Sequence, residues 1–202
     1  MKAAAQALTQ KLPISAVYLM GALPGLWLII AAVQDRLGPD PVKALEHGFG
    51  LWALRLFLAT LCITPFMRLG LRFVRFRRAL GLMAFFYALL HVATWAVLDM
   101  GLRWDEIAKD LWKRPYIVAG LIGFLLMLPL ALTSTNAAIR RMGAPSWRRL
   151  HRLAYPAILA VCVHGVMVTK VWEAESLVYL SLGLVLLALR LPMLSKRPAQ
   201  KP

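Results

Sequence analysis

The chain is poor in cysteine and in acid. It carries two cysteines, Cys62 and Cys162, and both fall in apolar stretches. There is no CxxC or CxxCH. That argues against an iron–sulfur cluster, a zinc site and a haem attached through thioethers. The two thiols read as small apolar residues. No Gly-rich phosphate motif follows a strand pattern, so neither a nicotinamide- nor an ATP-binding fold is expected. Gly21, Gly25, Gly81, Gly120 and Gly123 read instead as helix-packing positions. No internal repeat or low-complexity segment stands out.

What the chain has is hydrophobic length. Of its 202 residues 60% are hydrophobic and only 16% are charged, with a mean hydropathy of +0.66. A soluble domain of this size could not hide so much apolar surface, and disorder is excluded by the same figure. Six apolar segments are read as membrane helices: Ile14–Val33, Phe49–Met67, Ala79–Leu98, Tyr116–Leu132, His151–Thr169 and Leu177–Leu194. In lipid a helix satisfies its own backbone, so an all-α bundle of six transmembrane helices is expected. Residues 14–194 form that bundle, between short tails at 1–13 and 195–202. The first segment is longer than a signal-peptide core and is read as a retained helix.

The few charges are sorted. The N-terminus, the loop after segment 2, the loop after segment 4 and the C-terminal end carry sixteen Lys and Arg and no carboxylate. The opposite loops carry seven cations and all nine carboxylates. By the positive-inside rule both termini are cytoplasmic and the acidic loops face outward. The net charge of +15 is therefore a topology label, directed at anionic headgroups or a cytoplasmic partner rather than at nucleic acid.

Two histidines lie deep. His91 sits inside AFFYALLHVATW and His164 inside ILAVCVHGVMV. An ionisable residue at such depth points to function, and a neutral imidazole is a good axial ligand for haem iron. His91 is thirteen residues past Arg78, and His164 thirteen past His151. At about 1.5 Å per residue both lie about 20 Å from the basic edge, on helices running the same way. Matched depth favours one iron between them over two unrelated helix–helix hydrogen bonds. His151 lies in the basic stretch WRRLHRL and stays open: an interfacial histidine, a ligand to a second haem, or a neighbour of a flavin or quinone. An ideal helix would put it about 140° from His164, unless Pro156 changes the phase. Arg55 either meets a haem propionate or quinone, or snorkels to the outer interface. His47 reads as a solvated loop histidine, and Trp147 and Trp172 as interface-belt residues.

Four blocks in order, RRALGLMAFFYALLHVATW (Arg77–Trp95), KRPYIVAG (Lys113–Gly120), LPLALTSTN (Leu128–Asn136) and WRRLHRLAY (Trp147–Tyr155), carry a resemblance. The sequence resembles the MsrQ family, the haem-binding membrane subunits of the bacterial periplasmic methionine sulfoxide reductase system. It is also similar to the wider ferric reductase-like transmembrane superfamily. The resemblance spans about 39–190. It implies a b-type haem and FMN in an inner-membrane subunit. Such a subunit carries electrons from the quinone pool, or from a cytoplasmic flavin reductase, to a periplasmic molybdopterin enzyme that repairs oxidised proteins. The family's histidines fall on His91, His151 and His164. Where the family usually has an aromatic residue and then a Trp after the deep histidine of segment 5, this chain has Gly165 and Met167.

The expected role is thus electron transfer within an oxidoreductase complex, with catalysis left to the partner. A stand-alone ferric or quinone reductase is the redox alternative. A polytopic transporter or scaffold with structural histidines is the non-redox one.

Overall fold

A computed structural model describes residues 12–71, 73–169 and 173–190. The tails expected at 1–13 and 195–202 lie outside these residues except for Leu12 and Pro13, as do Arg72, Lys170, Trp172 and the last four residues of the expected sixth segment. Among the described residues the chain is helical throughout. The elements are α1 (Ile14–Val33), α2 (Pro41–Arg68), a 3-10 turn (Val74–Phe76), α3 (Arg77–Ala93), a π segment (Thr94–Asp99), α4 (Trp104–Lys113), α5 (Pro115–Leu132), α6 (Asn136–Met142), α7 (Ala144–Leu150), a second 3-10 turn (His151–Leu153), α8 (Ala154–Val168) and α9 (Ala174–Ala188).

Among the described residues five helices are long and apolar enough to cross a membrane, with α7 and α8 joined through the 3-10 turn as one of them. The described part of the sixth segment, α9, is shorter at 15 residues. The bundle is built on two close pairs, α2 with α3 and α5 with α8, with α9 packed on α8 and α2. Its core runs along α2 through Phe49, Leu54, Phe57, Leu58 and Leu61, and meets Met83, Ala84 and Tyr87 of α3 and Ala157, Ile158 and Cys162 of α8. Helix α1 lies outermost and leaves Leu19, Leu23, Trp27 and Val33 more than half exposed. In water that face would be untenable; against lipid chains it is the expected surface.

Local chemistry sets the boundaries. α2 begins eight residues before its apolar run, because Asp40 caps it through a 3.0 Å bond from the Lys43 N–H and Pro41 occupies its first position. α5 also starts on a proline, Pro115, and its last carbonyls are taken by the hydroxyls of Thr133 and Ser134 at 2.6 Å. Gly143, at φ 75°, makes the turn between α6 and α7.

Two helices are opened by side chains. In α1 the Tyr87 hydroxyl accepts from the Gly25 N–H at 2.7 Å and donates to the Gly21 carbonyl at 2.6 Å. Those two groups are an i to i−4 pair, so the phenol is inserted into the helical ladder. A Cβ on Gly25 would lie 2.9 Å from that hydroxyl, so only glycine fits. In α2, Pro65 has no N–H to give Leu61, four residues back. The Arg190 Nη2 donates to that carbonyl instead, at 2.5 Å.

Candidate functional site

Helices α2, α3, α5 and α8 enclose a cavity of about 710 Å³. It is lined mostly by apolar side chains such as Phe57, Phe124, Met127 and Val161, and it reaches Lys43, His47 and Arg114 at the end that carries the acidic loops. Trp104, Ile107 and Leu111 of α4 also line it, so that short amphipathic helix covers one side of the mouth. A volume of this size with few polar groups suits a large apolar ligand.

His91 and His164 both line the cavity, and their ring centroids are 6.0 Å apart with the planes at 72°. Their surroundings are built alike. His91 Nδ1 lies 2.9 Å from the Glu46 carbonyl, and His164 Nδ1 lies 2.7 Å from the Tyr116 carbonyl. A carbonyl only accepts, so Nδ1 carries the proton in each ring, and Nε2 of the neutral imidazole keeps its lone pair. This is the arrangement that orients a metal-ligating histidine and makes it a better donor.

Each ring reaches its carbonyl because a glycine lies four residues further along the facing helix. A Cβ on Gly50 would come within 3.1 Å of His91 Nδ1, and one on Gly120 within 2.8 Å of His164 Nδ1. Any side chain at Gly120 would push the imidazole away. The sequence reading took Gly120 as a packing glycine; what packs on it is the histidine ring. Gly50 was missed.

Two imidazoles sharing one metal through nitrogen need about 6 Å between centroids, given metal–nitrogen bonds of about 2.0–2.1 Å. The observed separation fits. Among the described residues no group of three or more His, Cys, Asp or Glu could hold a metal ion. A metal here would draw its remaining ligands from a non-protein group, as haem supplies four equatorial nitrogens. The cavity and the two histidines, each held through Nδ1, fit such a group.

After His91 the helix changes character. The π segment Thr94–Asp99 carries bonds reaching one residue further than in an α-helix, closing with Met100 N–H to the Trp95 carbonyl at 2.9 Å. Trp95 and Ala96 line the cavity, and Asp99 receives Lys43 Nζ at 2.5 Å.

The other candidates separate from this pair. His151 begins the 3-10 turn before α8, so the helical phase changes there and not at Pro156, which sits in the first turn of α8. The His151 ring stacks on Trp147 at 3.8 Å. Its Nδ1 lies 3.1 Å from the Trp147 carbonyl, the Leu130 backbone also acts on the ring, and its Nε2 is buried with no partner at full hydrogen-bond geometry. Trp147, expected in an interface belt, donates from Nε1 to the Thr133 carbonyl at 2.9 Å and so ties α7 to the end of α5. Arg55 turns to the acidic end. It donates to the Tyr179 hydroxyl at 2.7 Å and pairs with Glu175 at 2.9 Å. His47 is exposed at the cavity mouth. Beside Gly165, where the resembled family usually has an aromatic ring, nothing lies within 4 Å of a built Cβ, so the cavity is open there.

A four-helix cavity with two facing histidines is the architecture of an integral-membrane redox component. Residues 49–162 match the family model of the ferric reductase like transmembrane component, and the chain belongs to that family. Within it the chain is a member of the MsrQ group. It is 44% identical over 190 residues to the protein-methionine-sulfoxide reductase heme-binding subunit MsrQ of Brucella anthropi, covering 92% of this chain and 86% of that one. The MsrQ proteins of Brucella ovis and Brucella suis are each 45% identical over the same shares.

Proposed function

We propose that the protein is a b-type cytochrome subunit of a methionine sulfoxide reductase system. In this reading six helices at residues 14–194 span the bacterial inner membrane with both termini in the cytoplasm. Electrons come from the quinone pool or a cytoplasmic flavin reductase and pass to a periplasmic molybdopterin enzyme that repairs oxidised methionine in proteins. The relatives' printed name supports the haem and the reductase system. The charge asymmetry supports the orientation.

The observation that carries the reading is the pair of imidazoles 6.0 Å apart, each with Nδ1 bound to a backbone carbonyl. Bound there, a haem iron supplies a one-electron carrier whose potential follows its ligands and burial. The chain's own residues do the rest. His91 and His164 would hold the iron through Nε2, Gly50 and Gly120 let the rings seat, and Phe57, Phe124 and Met127 give the cavity an apolar lining. Lys43 and Arg114 line the mouth, each already paired with a carboxylate, and would be the cations available to acidic groups of a bound haem. At the basic end, His151 would serve a second redox group, haem or FMN, and its buried Nε2 supports that reading.

The test is spectroscopic. Protein purified from haem-sufficient cells should show a Soret band, sharp reduced α and β bands and a low-spin ferric signal. His91→Ala and His164→Ala should each abolish the low-spin signal. A wild-type spectrum in both variants would refute the ligand pair.

A further inference from the structure

Helix α4 covers the cavity mouth through apolar contact. Its ion pairs are local: Arg103 with Glu106 at 3.0 Å, Lys109 with Asp105 at 3.6 Å, and Arg114 with Asp110 at 3.4 Å. They tie the helix to itself and its flanks, not to another helix. Ile107, 8% exposed, and the half-buried Leu111 line the cavity. At about 100° per residue, Ile107, Leu111, Trp104, Ala108 and Trp112 fall within an arc of about 140°, and the charged residues fill the rest. Only one edge of that arc is covered. Trp104 is 71% exposed and Trp112 is 92% exposed. Among the described residues the Trp112 indole stands almost free of the bundle, and in water a ring of that size forfeits its burial.

The connections of α4 place it against lipid. α5 starts at Pro115, and its 18 residues rise about 27 Å, close to the roughly 30 Å of a bilayer's hydrocarbon. Pro115 therefore stands at the hydrocarbon edge on the acidic side. Trp112 precedes it at headgroup depth, with Arg114 the one residue between α4 and α5. Residues 100–103 join the other end of α4 to the π segment. Both ends are thus tied to spans, and the helix lies at the membrane surface. Indole rings gather at this depth, and an apolar arc flanked by charge is the pattern of a helix lying in the interface plane. The charges of the polar arc are mixed and paired with one another, so they offer a soluble partner no field of one sign.

We propose that α4 is a lid seated in lipid: Trp104 and Trp112 lie in the interfacial layer of the leaflet at the acidic end, and that seat holds Ile107 and Leu111 over the cavity mouth. One edge of the apolar arc closes the cavity and the other meets lipid. The inference rests on the spans crossing a bilayer. It depends neither on haem between His91 and His164 nor on which end faces the cytoplasm.

The test uses the full-length protein in nanodiscs of a neutral phosphatidylcholine. A nitroxide is attached at Trp112→Cys and, in a second sample, at Lys113→Cys, with labelled wild type correcting for Cys62 and Cys162. The two positions adjoin in sequence but lie about 100° apart around the helix. Power-saturation EPR compares collisions with oxygen, which concentrates in lipid, and with a nickel chelate, which stays in water. The label at 112 should favour oxygen and the label at 113 the chelate. Hydrogen exchange then tests the lid. Trp and Ser have similar helix propensity, and Trp112 touches little of the bundle, so in water Trp112→Ser would leave α4 unchanged. In nanodiscs it should speed exchange of the α4 amides at least about fivefold, with Trp112→Phe close to wild type. A label at 112 as open to the chelate as the label at 113, the result for a surface that meets a soluble partner, overturns the proposal. So does α4 exchange that is equal in wild type and Trp112→Ser.

Discussion

Gly50 and Gly120 each stand four residues past the carbonyl that a histidine Nδ1 engages, Glu46 for His91 and Tyr116 for His164. The repeated geometry makes the two rings equivalent in chemistry although they sit on different helices. Gly120→Ala forces a methyl to within 2.8 Å of His164 Nδ1, whereas Gly50→Ala approaches His91 at 3.1 Å. Overpacking of this kind costs about 1–3 kcal/mol, so Gly120→Ala should lower the haem-to-protein ratio in a pyridine haemochrome assay markedly and Gly50→Ala less. Equal haem content in wild type and Gly120→Ala would contradict this. The histidines were legible because depth follows from counting residues past a charged edge. The glycines were not, since a glycine in an apolar helix reads as packing until the facing residue is known. Arg55 was ambiguous for the same reason: its choice rests on Tyr179 and Glu175, more than a hundred residues away in sequence.

Element by element, the apolar runs map onto helices because lipid-length hydrophobic stretches have no other way to satisfy their backbone. α1 matches its expected bounds, Ile14–Val33, residue for residue. Three short helices, α4, α6 and α7, fall between the expected segments, because their own sequences are more polar than the apolar runs beside them. The amphipathic spacing of Trp104, Ile107 and Leu111 was the available signal for α4. The π segment was invisible, since its residues are as apolar as the helix before it. Tyr87 shows how an element depends on its neighbour: its hydroxyl replaces a helical bond of α1 from a position 1% exposed on α3. Tyr87→Phe should leave the Gly25 N–H and Gly21 carbonyl without that partner and destabilise the protein by about 1–3 kcal/mol. Thermal unfolding in detergent should show the loss with an unchanged haem spectrum. A melting temperature equal to wild type would show that α1 simply closes its own ladder.

At the scale of the molecule, charge and cavity are arranged along one axis. The cavity opens beside Lys43, Glu46 and Arg114, which are joined in ion pairs with one another or with Asp99 and Asp110. The other end gathers arginines without acids. In the proposed orientation this puts the histidine pair near the periplasmic face, close to a docked soluble partner, and leaves His151 near the cytoplasm. Charge sorting was readable from sequence because loops alternate sides once the spans are placed. The Arg190–Thr64 contact was not, because the two residues lie 126 apart in the chain. The most direct test is vectorial. Right-side-out membrane vesicles charged with a reduced quinone are given the purified periplasmic molybdopterin reductase and a methionine sulfoxide substrate outside, and sulfoxide reduction is followed. Turnover should require the wild-type chain and fall to background with His91→Ala and with His164→Ala. Turnover that is the same without the chain, or undiminished in both variants, would contradict the account.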